Sequence, residues 1–367
     1  MIKEIFIHSF EQVLPKYHLE QSRIVEWILK SHQRVALLKN ECPEPQQFTN
    51  ALRRFCLSDK YIEKRYFECD ELDENWENHE IYRLMKDSPS GVTIDKRNEF
   101  FGRNVQKVFS QLYGERAPGH LIHVTCTGYI SPSPAQVYFS DKKESPDITH
   151  AYHMGCYASM PAIRMAKGLV LSERKPIDIV HTEMCSLHLN PSIHSPEQMV
   201  VQTLFSDGHI KYSVGGSKRG FNILAIKEKI IPDSIKDMTW IPGEVGMMMT
   251  LSREVPFKIR DALPIFIDEL CSEAGVRKQE VLGSGIFAIH PGGPKIIEAV
   301  QKKLELKDEQ VEISKKILRT RGNMSSATLP HVWQGIMDSR LPDGTKVLSL
   351  AFGPGLTIFG SLFEVRN

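Results

Sequence analysis

His150-Ala151-Tyr152-His153-Met154-Gly155-Cys156-Tyr157-Ala158-Ser159-Met160-Pro161 sets one cysteine directly after a glycine, at a turn into a helix. Ile163, Met165, Ala166, Leu169 and Val170 continue that helix with the apolar spacing of a mostly buried one. A thiol at a helix N-terminus meets the positive end of the macrodipole, which favours the thiolate and lowers its pKa. Gly155 removes a side chain where a substrate would approach. A cysteine taken by itself is more often a small core residue, because free cysteine is among the most buried residue types. What separates the two readings lies far downstream.

The chain has 367 residues, more than one ordinary domain, and predicts two domains or one large pseudo-duplicated unit. Apolar residues make up 41% and charged residues 25%, enough for a sizeable core. A net charge of +1 gives no electrostatic reason to expect nucleic acid, so any anion site must be local. The seven cysteines (Cys42, Cys56, Cys69, Cys126, Cys156, Cys185, Cys271) form no CxxC pair and no metal-ligand spacing. Their odd number fits reduced thiols in the cytoplasm better than a disulfide framework. Lys3 and Glu4 have no long apolar stretch after them, so no secretory leader is expected. No run of about 18 apolar residues occurs, so no membrane span is expected.

Along the chain, Ile2 to His8 reads as a short strand, and Gln21 to His32 and Phe48 to Phe55 as helices. Cys56 to Tyr66 is basic and aromatic. It reads either as a solvated helix face or as a clamp for a phosphate-bearing carrier. Asn98 to Tyr113 is a helix, and Leu121 to Cys126 is a buried strand running into the turn-rich Thr127 to Pro134. Asp178 to His181, Ile210 to Val214, Phe221 to Ile226 and Gly246 to Leu251 read as strands, with Pro232 to Trp240 a connector. Ile259 to Ala274, Lys295 to Leu306, Gln310 to Leu318 and Ala327 to Met337 read as helices. Gly285 to Ile289, Val347 to Phe352 and Leu356 to Val365 read as strands. Strands and helices alternate in both halves, which favours layered α/β.

Three positions then stand out together: Cys156 before a helix, His290 at a strand end, and Asn323 in a loop before a helix. Taken alone, His290 suits a structural turn and Asn323 a helix cap. Taken together they suit thioester chemistry. A cysteine that attacks a thioester needs a neighbouring base or imidazolium to hold it as thiolate. An enolate route needs donors aimed at the developing oxyanion, which His Nε2 and an Asn amide can supply.

Five stretches carry a resemblance that covers nearly the whole chain. They are Gly155-Cys156-Tyr157-Ala158, Gln202 to Gly208, Gly285 to Pro294 (GIFAIHPGGP), Gly322 to Ala327 (GNMSSA), and Phe352-Gly353-Pro354-Gly355-Leu356-Thr357. In order and spacing the sequence resembles the chalcone-synthase-like, type III polyketide synthases. The resemblance implies α/β architecture of the thiolase fold: five layers, αβαβα, in two pseudo-duplicated halves. Residues 1–215 would carry the nucleophile, and residues 216–367 the histidine and asparagine. Cys156 would accept the acyl group. His290 would stabilise the thiolate and help hold the thioester oxyanion. Asn323 would share that oxyanion and promote decarboxylation of a malonyl thioester. Phe205 would be the aromatic gatekeeper between the access tunnel and the cavity, and Ser325 joins the substrate-binding positions.

Three positions depart from the family pattern. Met249 stands at the second gatekeeper, His188 where the plant enzymes carry a small polar cavity residue, and Trp240 at a family glycine. Large side chains there narrow the room in which a polyketide grows. One condensation, or the joining of two acyl chains, fits better than repeated extension and ring folding. Arg53, Arg54 and Lys60 are the candidate contacts to the carrier.

The expected reaction is acyl transfer to Cys156 from coenzyme A or an acyl carrier protein, then decarboxylative Claisen condensation, in secondary-metabolite biosynthesis. The substrates are phosphopantetheine thioesters. No tightly bound cofactor and no metal is expected, and the resemblance implies a homodimer with Thr127 to Pro134 near the partner's cavity. Alternatives are an initiating fatty-acid-type 3-oxoacyl synthase and a Cys-dependent acyltransferase or hydrolase that forms no carbon–carbon bond. An inactive thiolase-fold partner of a carrier protein is a further alternative, against which the intact Cys156, His290 and Asn323 speak.

Overall fold

In the computed structural model, which describes residues 4–41 and 44–367, the apolar runs gather into one nine-stranded sheet and the helices that cover it. The strands are β1 (Phe6–Val13), β2 (Tyr17–Glu20), β3 (Lys64–Phe67), β4 (His120–Thr125), β5 (Asp147–Tyr152), β6 (Ile177–Met184) and β7 (Asp207–Gly215). They continue with β8 (Gly220–Ile230), β9 (Met238–Pro242), β10 (Met247–Leu251), β11 (Ile286–Ile289), β12 (Lys346–Gly353) and β13 (Thr357–Arg366). The helices are α1 (Gln21–Leu38), α2 (Pro45–Arg53), α3 (Ile94–Tyr113), α4 (Pro134–Ser140), α5 (Ser159–Glu173) and α6 (Pro196–Leu204). After them come α7 (Val255–Ala274), α8 (Lys278–Ser284), α9 (Pro294–Leu304), α10 (Asp308–Arg321) and α11 (Thr328–Asp338).

The sheet runs β11-β12-β13-β8-β1-β7-β6-β4-β5. Outward from its middle, the same pattern appears twice. From β1, antiparallel β7 and β6 lead to the parallel partners β4 and β5. From β8, antiparallel β13 and β12 lead to the parallel partner β11. The two sets join where β1 pairs with β8, over Phe6–Asn222 and Ile7–Phe221 alone. β4 is buried at every residue and β6 at all but one, as strands covered on both faces must be.

Helices α5 and α11 form the middle layer. Their buried faces share one apolar cluster with strands of both sets, including Ile163, Ala166, Trp333, Ile179 and Phe359. Helix α3 covers the β4–β6 side, and α7 with α9 covers the β8–β13 side. The order is therefore αβαβα. A helix clamped between two sheets has no polar face to spare, so Ile163→Ala there would cost about 2–5 kcal/mol. Among the described residues no helix is long and apolar enough to cross a membrane.

Some sequence expectations shift. Trp240 is not in a connector: Met238–Pro242 is a strand paired with Met247–Leu251. The basic segment around Lys60 is no helix face; it is a loop leading into β3. Cys42 and the first residues of the expected Ile2 strand lie outside the described residues.

Candidate active site

The carboxyl ends of β4, β6 and β12 lead to one cavity, as ligand sites in α/β sheets commonly do, and β11 lies beside β12. Cys156 lies in a turn, three residues ahead of α5. Gly155 holds that turn at φ +84°, and a Cβ there would come within 2.6 Å of Pro354 Cδ. Gly353 is equally constrained, because a Cβ on it would sit 2.1 Å from the Tyr157 ring. The Gly-Cys-Tyr and Gly-Pro-Gly stretches thus interlock, each glycine admitting a side chain of the other. The Gly155 N–H also donates to Cys126 Sγ at 3.1 Å, which fixes the approach to the nucleophile.

Asn323 is placed by a two-sided backbone match with the end of α6. Its N–H donates to Leu204 O at 3.1 Å, and its carbonyl accepts from Ser206 N–H at 2.8 Å. Its side-chain Oδ1 accepts from Ser325 N–H at 2.9 Å and from Thr328 Oγ1 at 3.1 Å. With the oxygen committed, the amide nitrogen is left as donor. Ser325 Oγ lies 3.8 Å from Cys156 Sγ, and the Asn323 side chain is near enough to the thiol to favour its thiolate. Ser325 itself is held at φ +49°, an uncommon conformation for a residue with a side chain.

His290 directly follows β11, its N–H bonded to Leu350 O at 2.8 Å. The residue is 1% exposed, yet neither ring nitrogen has a hydrogen-bond partner. Buried imidazole nitrogens are seldom left so, and a pair of them is a reserve for chemistry. Burial lowers His290 to about 3.

The thiol departs from the expectation of a lowered pKa. Cys156 keeps some surface toward the cavity but sits deep in the fold, and burial pushes it up to about 12. Hydrogen bonds from Ser325 and Asn323 oppose the rise, while the Glu183 carboxylate adds to it. The helix end is three residues away, too far for its dipole to offset desolvation. Burial thus favours a neutral thiol and a neutral imidazole.

A cavity of about 350 Å³, counting its open mouth, lies over Cys156. Phe205, Trp240, Met249 and Ser325 line it, together with two further thiols, Cys126 and Cys185. His188 is not part of the lining: its ring stands edge-to-face to Trp240, with centroids 5.8 Å apart. Arg53 is held on the surface by a fork to Glu26, and Lys60 lies over Tyr61 at 5.4 Å. Arg54 is exposed at the end of α2. The loop that carries Lys60 packs Leu57, Tyr61 and Ile62 on the apolar cluster that contains Phe205.

Two residues that shape the site escaped sequence reasoning. Arg65 is fully buried, donating to Gln202 O at 2.9 Å and Phe205 O at 2.7 Å, so it anchors the gatekeeper's backbone. Glu183 accepts from Cys126 N–H at 3.0 Å, from Thr127 Oγ1 at 2.7 Å and from Ser326 Oγ. Burial raises its pKa. Glu183 shares β6 with Asp178, His181 and Thr182, so its charge alone did not mark it in the sequence.

The sequence profile of the family described as "Chalcone and stilbene synthases, C-terminal domain" matches residues 222–365. "Type III polyketide synthase C" of Arabidopsis thaliana is 30% identical over 266 residues, covering 68% of this chain and 67% of that protein. "Probable polyketide synthase 1" of Dictyostelium discoideum is 29% identical over 256 residues, which span 67% of this chain but 8% of that much longer protein. Among solved structures, PKS-I from the brown alga Ectocarpus siliculosus superposes with a TM-score of 0.85 at 21% identity, covering 99% of this chain and 98% of that one. At that identity the likeness shows the fold, and the fold is the five-layered one expected.

Proposed function

The chain belongs to the type III polyketide synthase family, and from that premise we propose that it condenses acyl thioesters, with Cys156 as the acyl carrier. The observation that carries the reading is Asn323. Its oxygen is tied down by two donors, which leaves the amide nitrogen as the free donor of a side chain that favours the Cys156 thiolate. A preorganised N–H donor at that place suits a developing thioester oxyanion or enolate.

Cys156 Sγ attacks the carbonyl of an acyl thioester delivered by coenzyme A or an acyl carrier protein. Its proton passes to an unpartnered nitrogen of His290 and then to the leaving thiolate. A malonyl thioester enters next and loses carbon dioxide. The electron pair left on its α-carbon is held as an enolate by His290 and Asn323. That carbon attacks the Cys156 acyl group, the tetrahedral intermediate expels the Cys156 thiolate, and a β-keto thioester departs. Desolvation strengthens each of these contacts. The narrow, apolar cavity supports one or few condensations, or the joining of two chains, rather than a long polyketide. The reading includes a homodimer, expected by light scattering at micromolar concentration.

The test is product mass with isotopically labelled malonyl-coenzyme A and an acyl-coenzyme A starter, alongside intact-protein mass. A condensing enzyme yields an acylated Cys156, a β-keto product and labelled carbon dioxide. Free acid and free thiol alone would replace this reading with hydrolysis.

A further inference from the structure

Asn323 has no contact with the sheet strand that carries Cys156 or His290; its backbone is bridged to the segment that follows helix α6. That segment is in turn clipped, residue by residue, to strand β3. Arg65 Nη1 donates to Phe205 O at 2.7 Å. Tyr66 N–H donates to Ser206 Oγ at 2.9 Å, and Ser206 Oγ donates back to Tyr66 O at 3.1 Å. Glu68 N–H donates to Asp207 Oδ2 at 2.8 Å. Just ahead of the strand, Glu63 N–H donates to Arg319 O at 2.7 Å, near the end of helix α10 and four residues before Asn323. Strand β3 therefore braces the chain on both sides of the bridge that holds Asn323.

Arg65 is the centre of this brace. It is fully buried, and among the described residues it makes no ion pair. Its donors go to Gln21 Oε1 at 2.8 Å and to the carbonyls of Gln202 and Phe205, leaving Nη2 alone without a partner. A buried cation without a counter-charge is costly, so its place needs a reason. The reason lies at the end of α6, whose last carbonyls have no partner within the helix and form the negative end of its dipole. On its other side the Arg65 stem packs on Gly322, where a Cβ would come within 3.1 Å of Arg65 Cγ. One side chain thus touches the residue before Asn323 and holds the carbonyl of the residue bridged to Asn323. Arg65 does not line the cavity.

We propose that Arg65 is the positioning residue of the Asn323 amide: it sets the donor that the enolate needs, so that decarboxylation depends on it far more than acyl loading of Cys156 does. The inference rests on the condensing reading above, and assigns within it a residue that meets neither substrate nor thiol.

The test compares two rates in the full-length protein. One is acylation of Cys156 by an acyl-coenzyme A, followed by intact mass. The other is carbon dioxide release from labelled malonyl-coenzyme A, with kcat and KM separated. Arg65→Lys keeps the charge but loses the planar fork that spans two carbonyls and Gln21. Its kcat for decarboxylation should fall about tenfold to a hundredfold, the scale of a misplaced catalytic group, while KM and acylation change by less than about threefold. Arg65→Met keeps bulk but no donor and should fall further. Should it fail to fold, Ser206→Ala cuts the Tyr66 clip, leaves the Ser206 N–H bonded to Asn323 O, and should lower the same kcat. The deciding measurement is Arg65→Lys in an Asn323→Ala background, where it should cost no more than about twofold, because the group through which it acts is gone. An equal loss in both backgrounds, or decarboxylation and acylation falling together, overturns the assignment and makes Arg65 a residue of the fold alone. A wild-type decarboxylation kcat in both Arg65→Lys and Ser206→Ala overturns it as well. Wild-type protein that releases no carbon dioxide from malonyl-coenzyme A overturns the condensing reading itself, and this inference with it.

Discussion

Replacing His290 by alanine should silence Cys156 without unfolding the protein. The ring nitrogens make no hydrogen bond to the protein, so their removal orphans no donor or acceptor. What remains is a thiol that burial has pushed from 9.0 up to about 12. The sign is that of an acid with a raised pKa: the thiolate appears only as pH climbs toward 12, and below that the group is neutral. From pH 6 to 9 the variant should therefore hold about a thousandfold less thiolate than an ordinary thiol, because each pKa unit is a factor of ten. In the wild type the imidazole can take the proton, and the resulting ion pair is held by mutual attraction. The assay is iodoacetamide alkylation resolved by peptide mass, with Cys126 and Cys185, also raised by burial, as slow internal references. Wild-type Cys156 should react faster than the variant, with the ratio closing as pH rises. Equal rates for the two proteins across pH 6 to 9 would refute the assignment of His290 as the group that accepts the proton.

Asn323→Ala should cut decarboxylation of malonyl-coenzyme A by about 100- to 1,000-fold while Cys156 still loads an acyl group, read as carbon dioxide release against intact mass; a wild-type decarboxylation rate would remove Asn323 from that role. Gly155→Ala forces a side chain into φ +84° and against Pro354, so it should lose about 1–3 kcal/mol from backbone strain and a similar amount from overpacking, measured by urea unfolding. Glu183→Leu leaves the Cys126 N–H, Thr127 and Ser326 donors without their acceptor, at about 1–3 kcal/mol for each donor left buried; a variant as stable as the wild type would mean that water replaces the carboxylate.

The local pattern of the chain determined much of this protein. Helical spacing marked α1, α3, α7 and α9, and short apolar-rich runs marked β4, β6 and β12, because those periods are set by the backbone itself. The glycine-flanked stretches around Cys156, His290, Asn323 and Pro354 were visible for the same reason: a glycine required by a tight turn is a local fact. Only the tertiary structure decided which of them touch. That Tyr157 fills the hollow above Gly353 and that Ser325 and Thr328 take up the Asn323 oxygen are matters of packing. So is the burial of Arg65, which in sequence is one more cation in a basic segment. The pKa of Cys156 shows the division best. The sequence places a thiol near a helix start, which argues for a lower value. The fold surrounds that thiol with protein, and desolvation, which depends on everything packed around a group and on nothing in its own neighbourhood of the chain, sends it the other way.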